Sequence, residues 1–148
     1  MLTLNDVYRG LGGVGDLPGE LGPQRSISEA LVDSRAVIEH SLFVALKGER
    51  TDGHLYLNEA FSRGAIAALA ERRALELVEN AAFVLPHAEV RLPLAQAERA
   101  APPPVVFIAP DSLAGLQELA SWWRSRMPAV TIGVTGSVIN GNLTIKTG

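Results

Sequence analysis

The stretch LFVALKGERTDGHLYLNEAFSRGAIAALA, residues 42–70, determines the fold. Leu42–Leu46 is a compact apolar run of strand length, and a polar, glycine-containing loop follows it. Tyr56–Arg63 is predicted to be a helix that ends at Gly64, because glycine is favoured just past a helix C-terminus. Ala65–Ala70 is short and apolar, which predicts a buried strand. This order of strand, loop, helix and strand predicts the α/β class.

The sequence before this stretch begins with a short predicted helix. Thr3 can cap a helix over residues 3–11, since Asp6 stands three positions later and completes a capping box. A glycine-rich loop, Gly10–Pro23, follows the helix, and Ser26–Val32 is a predicted strand. The chain therefore reaches residue 42 through one helix, one loop and one strand.

The sequence after residue 70 continues the alternation of helices and strands. Three consecutive prolines, residues 102–104, lack backbone donors and predict a loop over Ala95–Pro104. Asp111 or Ser112 can cap a helix that runs to about Arg126. Its predicted apolar stripe is Leu113, Leu116, Leu119, Ala120 and Trp123. The other predicted elements are a helix at Glu71–Asn80 and strands at Ala81–Leu85, Val105–Ala109 and, as the final strand, Val130–Thr135.

Composition limits the classes of function. The 148 residues include 47% hydrophobic side chains, enough for a packed core, and the net charge of -3 argues against a general nucleic-acid binder. No cysteine is present, so the sequence excludes disulfides and thiolate sites. The three histidines are too far apart for a paired metal motif, and no metal site is expected. Apolar runs such as Ala65–Ala70 are too short to span a bilayer, which predicts a cytoplasmic protein without a membrane partner.

Two glycine motifs suggest phosphate binding, each with a simpler alternative. Gly10–Gly15 matches G-x-G-x-x-G, but a dinucleotide fingerprint needs a strand before it and a helix after it. Here a predicted helix precedes, so a helix-exit loop is the better interpretation. Ile132–Ser137 is a strand that enters a glycine turn, as in a phosphate loop. The expected Gly-Lys-Thr is missing after Ser137, and Lys146 is too distant, so an ordinary turn after a strand fits equally well.

The densest polar motif combines Asp33–Arg35 with Lys47–His54. Both segments follow apolar strands, and ligands of α/β proteins gather at such strand ends. Arg35, Lys47 and Arg50 could face a diphosphate, while glycines allow close backbone approach to a ligand. The alternative is that these polar groups only stabilise surface turns. The residues themselves do not decide between these two readings.

In combination these motifs resemble the Mur ligases. The resemblance rests on Asp33-Ser34-Arg35, on LFVALKGERTDGH at Leu42–His54, on GAIAAL at Gly64–Leu69 and on the run Ser112–Ser137. It implies a small mixed-sheet N-terminal domain over residues 1–127, which binds the UDP end of UDP-N-acetylmuramoyl-peptide. Residues 128–148 would be the start of an ATP-binding domain, including its first strand. The family is implied to be cytoplasmic and to synthesise peptidoglycan precursors for the cell wall.

The resemblance also implies roles for individual residues. In the family, ATP with Mg²⁺ phosphorylates a peptide carboxylate, and an amine then attacks the acyl phosphate. No catalytic residue is expected in this chain. The incomplete ATP loop would be Gly133, Thr135, Gly136 and Ser137. The residues expected to bind the UDP moiety are Ser34, Arg35, Lys47, Gly48, Glu49, Arg50, Thr51, Asp52, Gly53 and His54.

Two branches of the family share this N-terminal pattern. One adds the third amino acid of the stem peptide, and the other adds D-alanyl-D-alanine. Ser137 and the Trp123-Arg124 pair favour the second branch. Because the Gly-Lys-Thr turn is missing after Ser137, the chain alone is expected to be inactive and to bind no ATP. A stand-alone nucleotide-sugar-binding module is the remaining alternative.

Overall fold

The helices and strands of the chain alternate in a computed structural model, which describes residues 1–85, 89–93, 101–126 and three strands beyond them. The helices are α1 (Leu4–Gly10), α2 (Leu57–Ser62), α3 (Ala74–Leu77) and α4 (Ser112–Arg126). Short 3₁₀ turns occur at Gly19–Leu21, Ser34–Ala36 and Gly53–Tyr56. The strands are β1 (Ala30–Leu31), β2 (Leu42–Val44), β3 (Ala67–Ala70), β4 (Ala82–Leu85), β5 (Glu89–Arg91), β6 (Val105–Ile108), β7 (Thr131–Val134), β8 (Ser137–Asn140) and β9 (Leu143–Lys146).

One mixed sheet contains these strands in the order β5-β4-β6-β3-β2-β1-β9-β8-β7. The neighbours from β4 through β6, β3, β2 and β1 to β9 are parallel. The pairs β4–β5, β7–β8 and β8–β9 are antiparallel. The α/β class and the mixed sheet predicted from the sequence are therefore confirmed.

Each central strand contributes side chains to two apolar cores, one on either side of the sheet. Leu42 and Val44 pack in the core that also contains α1 and α4, whereas Phe43 packs in the core that contains α2 and α3. The same alternation places Leu69 on the first side and Ala68 on the second. Burial on both faces explains why these strands read as continuous apolar runs.

The first helix forms as its sequence predicts. The Asp6 backbone N–H donates to Thr3 Oγ1 over 3.2 Å, and the Thr3 backbone N–H donates to Asp6 Oδ2 over 2.9 Å. Leu2 and Val7 are buried in the same core. Helix α4 also begins and ends as predicted, with Asp111 as the cap at its start, because the Asp111 Oδ1 accepts the Ala114 N–H over 2.9 Å.

Several predicted elements are shorter than expected. The strand expected at Ser26–Val32 contains only Ala30–Leu31, because the N–H groups of Ile27 and Ser28 donate to Leu2 and His40 outside the sheet. The helix expected at Glu71–Asn80 is a single turn, Ala74–Leu77, which ends where Val78 becomes extended.

Three further details of local structure differ from the sequence analysis. Leu113 lies on the solvent side of α4 and is 50% exposed, while Gly115 takes the buried position next to β3. The sequence also misses β5, because Glu89 and Arg91 give this edge strand a polar pattern. Val130–Thr135 contains β7 but is not the final strand, since β8 and β9 follow.

Among the described residues, no helix is long and apolar enough to cross a membrane.

Candidate functional site

The polar loops singled out by the sequence lie at one edge of the sheet. Because β1, β2, β3 and β6 are parallel, their carboxyl ends meet at this edge. The segments that follow these strands include Asp33–Arg35, Lys47–His54, Glu71–Arg73 and Asp111–Ser112. Ligands of α/β proteins bind outside the carboxyl ends of strands, so this edge is the candidate site.

Asp33–Arg35 forms a 3₁₀ turn that its own carboxylate caps. Asp33 Oδ1 accepts the Arg35 backbone N–H over 2.9 Å. The Arg35 guanidinium also donates to both Asp33 oxygens, over 3.0 Å and 2.9 Å. These hydrogen bonds from Arg35 lower the pKa of the Asp33 carboxyl and raise the pKa of the guanidinium. The Arg35 side chain is still 82% exposed, so it remains accessible to an anion.

Ser34 points toward α2 and is buried. Its Oγ donates to Glu59 Oε2 at 3.5 Å, the outer limit of a hydrogen bond. Glu59 also pairs with Arg63 one helical turn later, at 3.1 Å. Sequence analysis missed Glu59 because its only signal is the i, i+4 spacing to Arg63, which is common on helix surfaces.

Lys47–Asp52 forms a tight turn with an exposed tip. Lys47 and Asp52 form an isolated antiparallel bridge, and the Gly48 N–H donates to the Thr51 carbonyl over 2.8 Å. Lys47, Gly48, Glu49, Arg50 and Thr51 are exposed. Within the described part of the chain, Lys47 and Arg50 form no ion pair. The tip therefore presents two cations and several backbone groups to solvent.

Gly53 permits the loop to pack back onto β2. A Cβ at this position would lie 2.8 Å from Leu46 N and 3.1 Å from Ala45 Cα, both backbone atoms. The Gly53 N–H donates to the Leu46 carbonyl over 2.8 Å. A larger residue would therefore push the loop away from the strand.

His54 links the Lys47–Asp52 turn to the segment that follows β3. Its side chain is completely buried, and its Nε2 accepts the Glu71 backbone N–H over 2.8 Å. The ring proton must then reside on Nδ1, which lies 2.8 Å from Asp52 Oδ1. Both ring nitrogens are thus used inside the protein, so the His54 side chain offers nothing to a ligand in this arrangement.

Asp52 is the carboxylate on which the loop contacts converge. It accepts from the His54 backbone and ring and from the Arg73 guanidinium, and it caps the turn Gly53–Tyr56. Burial acts to raise the pKa of the Asp52 carboxyl, but the hydrogen bonds from His54 and the charge of Arg73 lower it overall. Asp52 is therefore ionised over the neutral range.

Two residues that sequence analysis missed complete this cluster. Arg73 Nη1 lies 3.0 Å from Asp52 Oδ2, and Arg73 Nη2 lies 3.6 Å from Glu71 Oε1. Glu71 Oε2 in turn accepts the backbone N–H of Ser112, the first residue of α4, over 3.1 Å. No local motif marks Glu71 or Arg73, since their partners are distant in sequence.

The two candidate loops come together on α2. Both 3₁₀ turns, Ser34–Ala36 and Gly53–Tyr56, pack against this helix. Tyr56, the residue before α2, hydrogen-bonds through its hydroxyl to Thr51 Oγ1 at 3.2 Å. Tyr56 also contributes, less than Asp33, to the raised pKa of Arg35. The structure thus brings all three predicted loop cations to one edge of the molecule.

This arrangement suits binding of an anion more than acid–base catalysis. Exposed guanidinium and ammonium groups with adjacent backbone N–H groups match the needs of a diphosphate. The carboxylates of Asp33, Asp52 and Glu59 are already paired with arginine or histidine, and Glu49 is exposed at the tip of the loop. In the described ranges, no three histidine, aspartate or glutamate side chains are grouped so that they could hold a metal ion.

The Gly10–Gly15 motif belongs to a helix exit, as the sequence indicates. It follows α1 directly, and no strand precedes it. Gly13 packs against the Tyr8 ring, and the Tyr8 hydroxyl donates to the Val14 carbonyl over 3.3 Å. These contacts turn the loop toward its own helix, away from the candidate site.

The Ile132–Ser137 motif lies in a β-hairpin. Gly133 is in β7, Ser137 begins β8, and Val134 and Ser137 are paired antiparallel partners. Thr135 and Gly136 lie outside the described residues. A phosphate loop needs a helix after the glycine turn, so that the helix N-terminus faces the phosphates. In this structure the strand β8 follows the motif, where a phosphate loop has a helix.

Comparisons with known proteins identify one family. The family model for "Mur ligase family, catalytic domain" matches residues 26–100. The UDP-N-acetylmuramoyl-tripeptide–D-alanyl-D-alanine ligase of Treponema pallidum is 36% identical over 115 residues, which are 77% of this chain and 21% of the relative. The enzyme of the same name from Synechocystis sp. is 32% identical, over 81% of this chain and 21% of the relative.

Sister enzymes and solved structures agree with this result. The UDP-N-acetylmuramoyl-L-alanyl-D-glutamate–2,6-diaminopimelate ligase of Chelativorans sp. is 30% identical over 84% of this chain and 27% of the relative. A crystal structure of MurF from Acinetobacter baumannii matches the fold with a TM-score of 0.53 at 22% identity, over 84% of this chain and 21% of that chain. The chain thus spans about a fifth to a quarter of the length of these relatives.

Proposed function

The chain belongs to the Mur ligase family, and we propose that it docks the UDP moiety of UDP-N-acetylmuramoyl-tripeptide for a ligase that adds D-alanyl-D-alanine. In this proposal residues 1–127 form the UDP-sugar-binding domain. Residues 128–148 begin the ATP-binding domain. ATP, Mg²⁺ and the dipeptide bind to catalytic domains of the full-length enzyme, which acts in the cytoplasm on peptidoglycan precursors.

One observation carries the proposal. The 3₁₀ turns Ser34–Ala36 and Gly53–Tyr56 both contact α2 at the carboxyl ends of the parallel strands, and Thr51 is bonded to Tyr56 of the second turn. Three exposed cations lie in or just before these turns: Arg35, which is paired with Asp33 of its own turn, and Lys47 and Arg50, which form no ion pair with the described residues. A pyrophosphate carries two to three negative charges and forms charge-assisted hydrogen bonds with such groups. The backbone groups of Gly48–Thr51 supply further contacts for the nucleoside.

Docking at a distance from the reacting carboxylate would contribute to catalysis through positioning. Binding energy from a part of the substrate that does not react can orient the part that does. The UDP end of the precursor is such a part, because the new amide bond forms at the other end of the peptide. The candidate site therefore needs no catalytic side chain of its own.

The D-alanyl-D-alanine branch has the stronger support. Its members are similar to this chain at 32% and 36% identity, and Ser137 and Trp123-Arg124 favour the same branch. The sister branch, which adds the third stem-peptide residue, is the second candidate, since its members are 30% and 33% identical over at least 80% of this chain, and 48% identical over a stretch of 46 residues. A stand-alone nucleotide-sugar-binding module is a third candidate.

Calorimetry with defined ligands tests the docking claim. We expect UDP and UDP-N-acetylmuramoyl-tripeptide to bind the chain, and UMP to bind at least about tenfold more weakly, because it lacks one phosphate. Two compounds serve as controls: uridine, which carries no phosphate, and ATP, which carries phosphates on a different base. Equal binding of UDP and ATP would remove nucleotide specificity from the proposal, and no binding of UDP would overturn it.

The branch is tested with the full-length enzyme. D-alanyl-D-alanine, meso-diaminopimelate and L-lysine are each offered with the matching precursor, and phosphate release is measured. We expect release with D-alanyl-D-alanine and the tripeptide precursor. Release only with a single amino acid and the dipeptide precursor would move the protein to the sister branch. Release with none of them would argue for the stand-alone module.

A further inference from the structure

We propose that Arg73 is a positioning residue that holds the Lys47–His54 loop in the shape that receives the nucleotide. This inference rests on the proposed function of the same loop. Arg73 follows β3 and belongs neither to the loop nor to its sequence motif. It acts through Asp52 and is not proposed to touch the nucleotide.

The loop has few anchors of its own. Between Leu46 and His54 every residue is exposed or half-buried, so apolar packing contributes little to its shape. Two backbone hydrogen bonds, Gly48 N–H to Thr51 and Gly53 N–H to Leu46, close the turn. Thr51 Oγ1 also donates to the Tyr56 hydroxyl over 3.2 Å, and the contacts to Arg73 after β3 and to His54 pass through the Asp52 carboxylate.

Arg73 binds the Asp52 carboxylate through two guanidinium nitrogens. Nη1 lies 3.0 Å from Asp52 Oδ2, and Nη2 lies 3.2 Å from Oδ1. A planar guanidinium fixes both the distance and the orientation of a carboxylate, which a lysine ammonium does not. The orientation of Asp52 sets the start of the 3₁₀ turn that it caps, and with it the path of the loop.

The other end of the contact chain is a rigid part of the fold. Glu71 contacts Arg73 at 3.6 Å and accepts the Ser112 N–H at the start of α4. The Glu71 backbone N–H also fixes the His54 ring, whose Nδ1 faces the same Asp52 oxygen. Arg73 therefore joins a solvent-exposed loop to β3 and to the longest helix that the structure describes.

The test separates loop order from ligand binding. Arg73→Ala and Arg73→Lys are compared with Arg72→Ala, a change at the exposed neighbouring arginine. For each variant, amide hydrogen exchange and thermal unfolding are measured without ligand, the ring ¹⁵N shifts of His54 are recorded, and UDP affinity is measured by calorimetry.

We expect Arg73→Ala to weaken UDP binding about tenfold and to accelerate exchange at Gly48 and Gly53 about tenfold, while amides of β3 and β6 keep wild-type rates. Arg73→Lys should restore thermal stability more than affinity, because the ammonium keeps the charge without the fork. Arg72→Ala should change neither the UDP affinity nor the exchange rates of Gly48 and Gly53.

Three results would overturn the inference. These are wild-type UDP affinity in Arg73→Ala, unchanged exchange at Gly48 and Gly53, or equal acceleration in the loop and the sheet, which would indicate general destabilisation. A wild-type chain that binds no UDP would instead overturn the proposed function. In that case the exchange rates of the ligand-free variants still decide whether Arg73 orders the loop.

Discussion

The loops Gly10–Gly15 and Lys47–Gly53 both contain several glycines, but they differ in the element that each one leaves. The first leaves α1 and turns back onto it through Tyr8. The second leaves β2 at the carboxyl edge of the sheet, next to the ends of two parallel neighbours. Only the second has neighbouring loops that can close a site with it.

The comparison teaches that a glycine pattern acquires meaning from its position in the fold. Gly10–Gly15 matches a dinucleotide fingerprint letter for letter, yet its first glycine, Gly10, allows a close contact between α1 and α4. A Cβ at Gly10 would lie 2.5 Å from Leu119 Cδ1, a side-chain atom of α4. A Cβ at Gly53 would instead meet the backbone of the strand that the loop leaves. The same residue type is needed for packing in one loop and for loop shape in the other.

The largest difference between the two loops is expected when Gly10 and Gly53 are each replaced by alanine. Gly53→Ala should destabilise the fold by about 1–3 kcal/mol, because the added Cβ meets backbone that cannot move freely. It should also reduce UDP affinity at least about tenfold. Gly10→Ala should destabilise by a similar or smaller amount, since Leu119 can change rotamer, and should leave UDP affinity unchanged. Denaturant unfolding and calorimetry measure the two quantities.

Gly19→Ala is the control, because its Cβ would meet nothing within 4 Å and its backbone is not in the left-handed region. It should alter neither stability nor affinity by a measurable amount. Equal losses of UDP affinity in Gly10→Ala and Gly53→Ala would contradict the distinction between the two loops.

Asp52→Asn should give the next largest effect, and it depends on pH. Removing the charge weakens the bonds from His54 and Arg73, which should cost about 1–3 kcal/mol at pH 7. The folded-state pKa of Asp52 is below its ordinary value of 3.8, so its contribution is present above that pH and is lost as the pH falls through the folded pKa. The difference in unfolding free energy between wild type and variant should therefore narrow in acid.

Asp16→Asn, in the segment that follows Gly15, is the matched comparison. The pKa of Asp16 is also lowered, first by its hydrogen bond from Asn5 and then by the charge of Arg9, but its carboxylate is exposed. It should show the same direction of pH dependence without any loss of UDP affinity. A constant difference between Asp52→Asn and wild type from neutral to acid pH would show that the Asp52 charge does not stabilise the loop.

Arg50→Ala should weaken UDP binding by about 1.5–3 kcal/mol if the guanidinium meets the diphosphate. The loss should shrink as salt is raised, because Arg50 is exposed and its field is screened. Arg9→Ala removes an exposed arginine that contacts Gly15 and Asp16 in the other loop, and it should leave affinity unchanged. A salt-independent loss in Arg50→Ala would point to a structural role.

Ser34→Ala should have the smallest effect on affinity. It removes one hydroxyl, worth roughly 0.5–1.5 kcal/mol, from the turn that faces α2. Ser28→Ala, which removes an exposed hydroxyl bonded to the Glu39 carbonyl, is the control. Affinity losses of the same size in both variants would remove Ser34 from the site.

The sequence predicts what depends on neighbouring residues. The Thr3–Asp6 cap and the strand at Val105–Ala109 follow from short patterns, and both are present, the latter as Val105–Ile108. The positions of Asp33–Arg35 and Lys47–His54 after parallel strands were also predictable, because parallel strands place their ends together.

The parts that were missed depend on contacts between distant residues. Arg73 bonds to Asp52 across 21 positions, and Glu71 bonds to Ser112 across 41. His54 illustrates the same limit. Its place in a polar motif indicates a ligand contact, whereas the fold buries the ring and uses both nitrogens. Only the packing of β3 and α4 against the loop distinguishes a supporting residue from an exposed one.

The most direct test of the account is a titration of the ¹⁵N-labelled chain with UDP, followed through its backbone amides. The account predicts shifts at Asp33–Arg35 and at Lys47–Gly53, with smaller changes at Glu71 and Arg73, where the loop is supported. The Gly10–Gly15 amides should not move. Shifts confined to Gly10–Gly15, or no shifts at saturating UDP, would contradict the assignment of the nucleotide site to the carboxyl edge of the sheet.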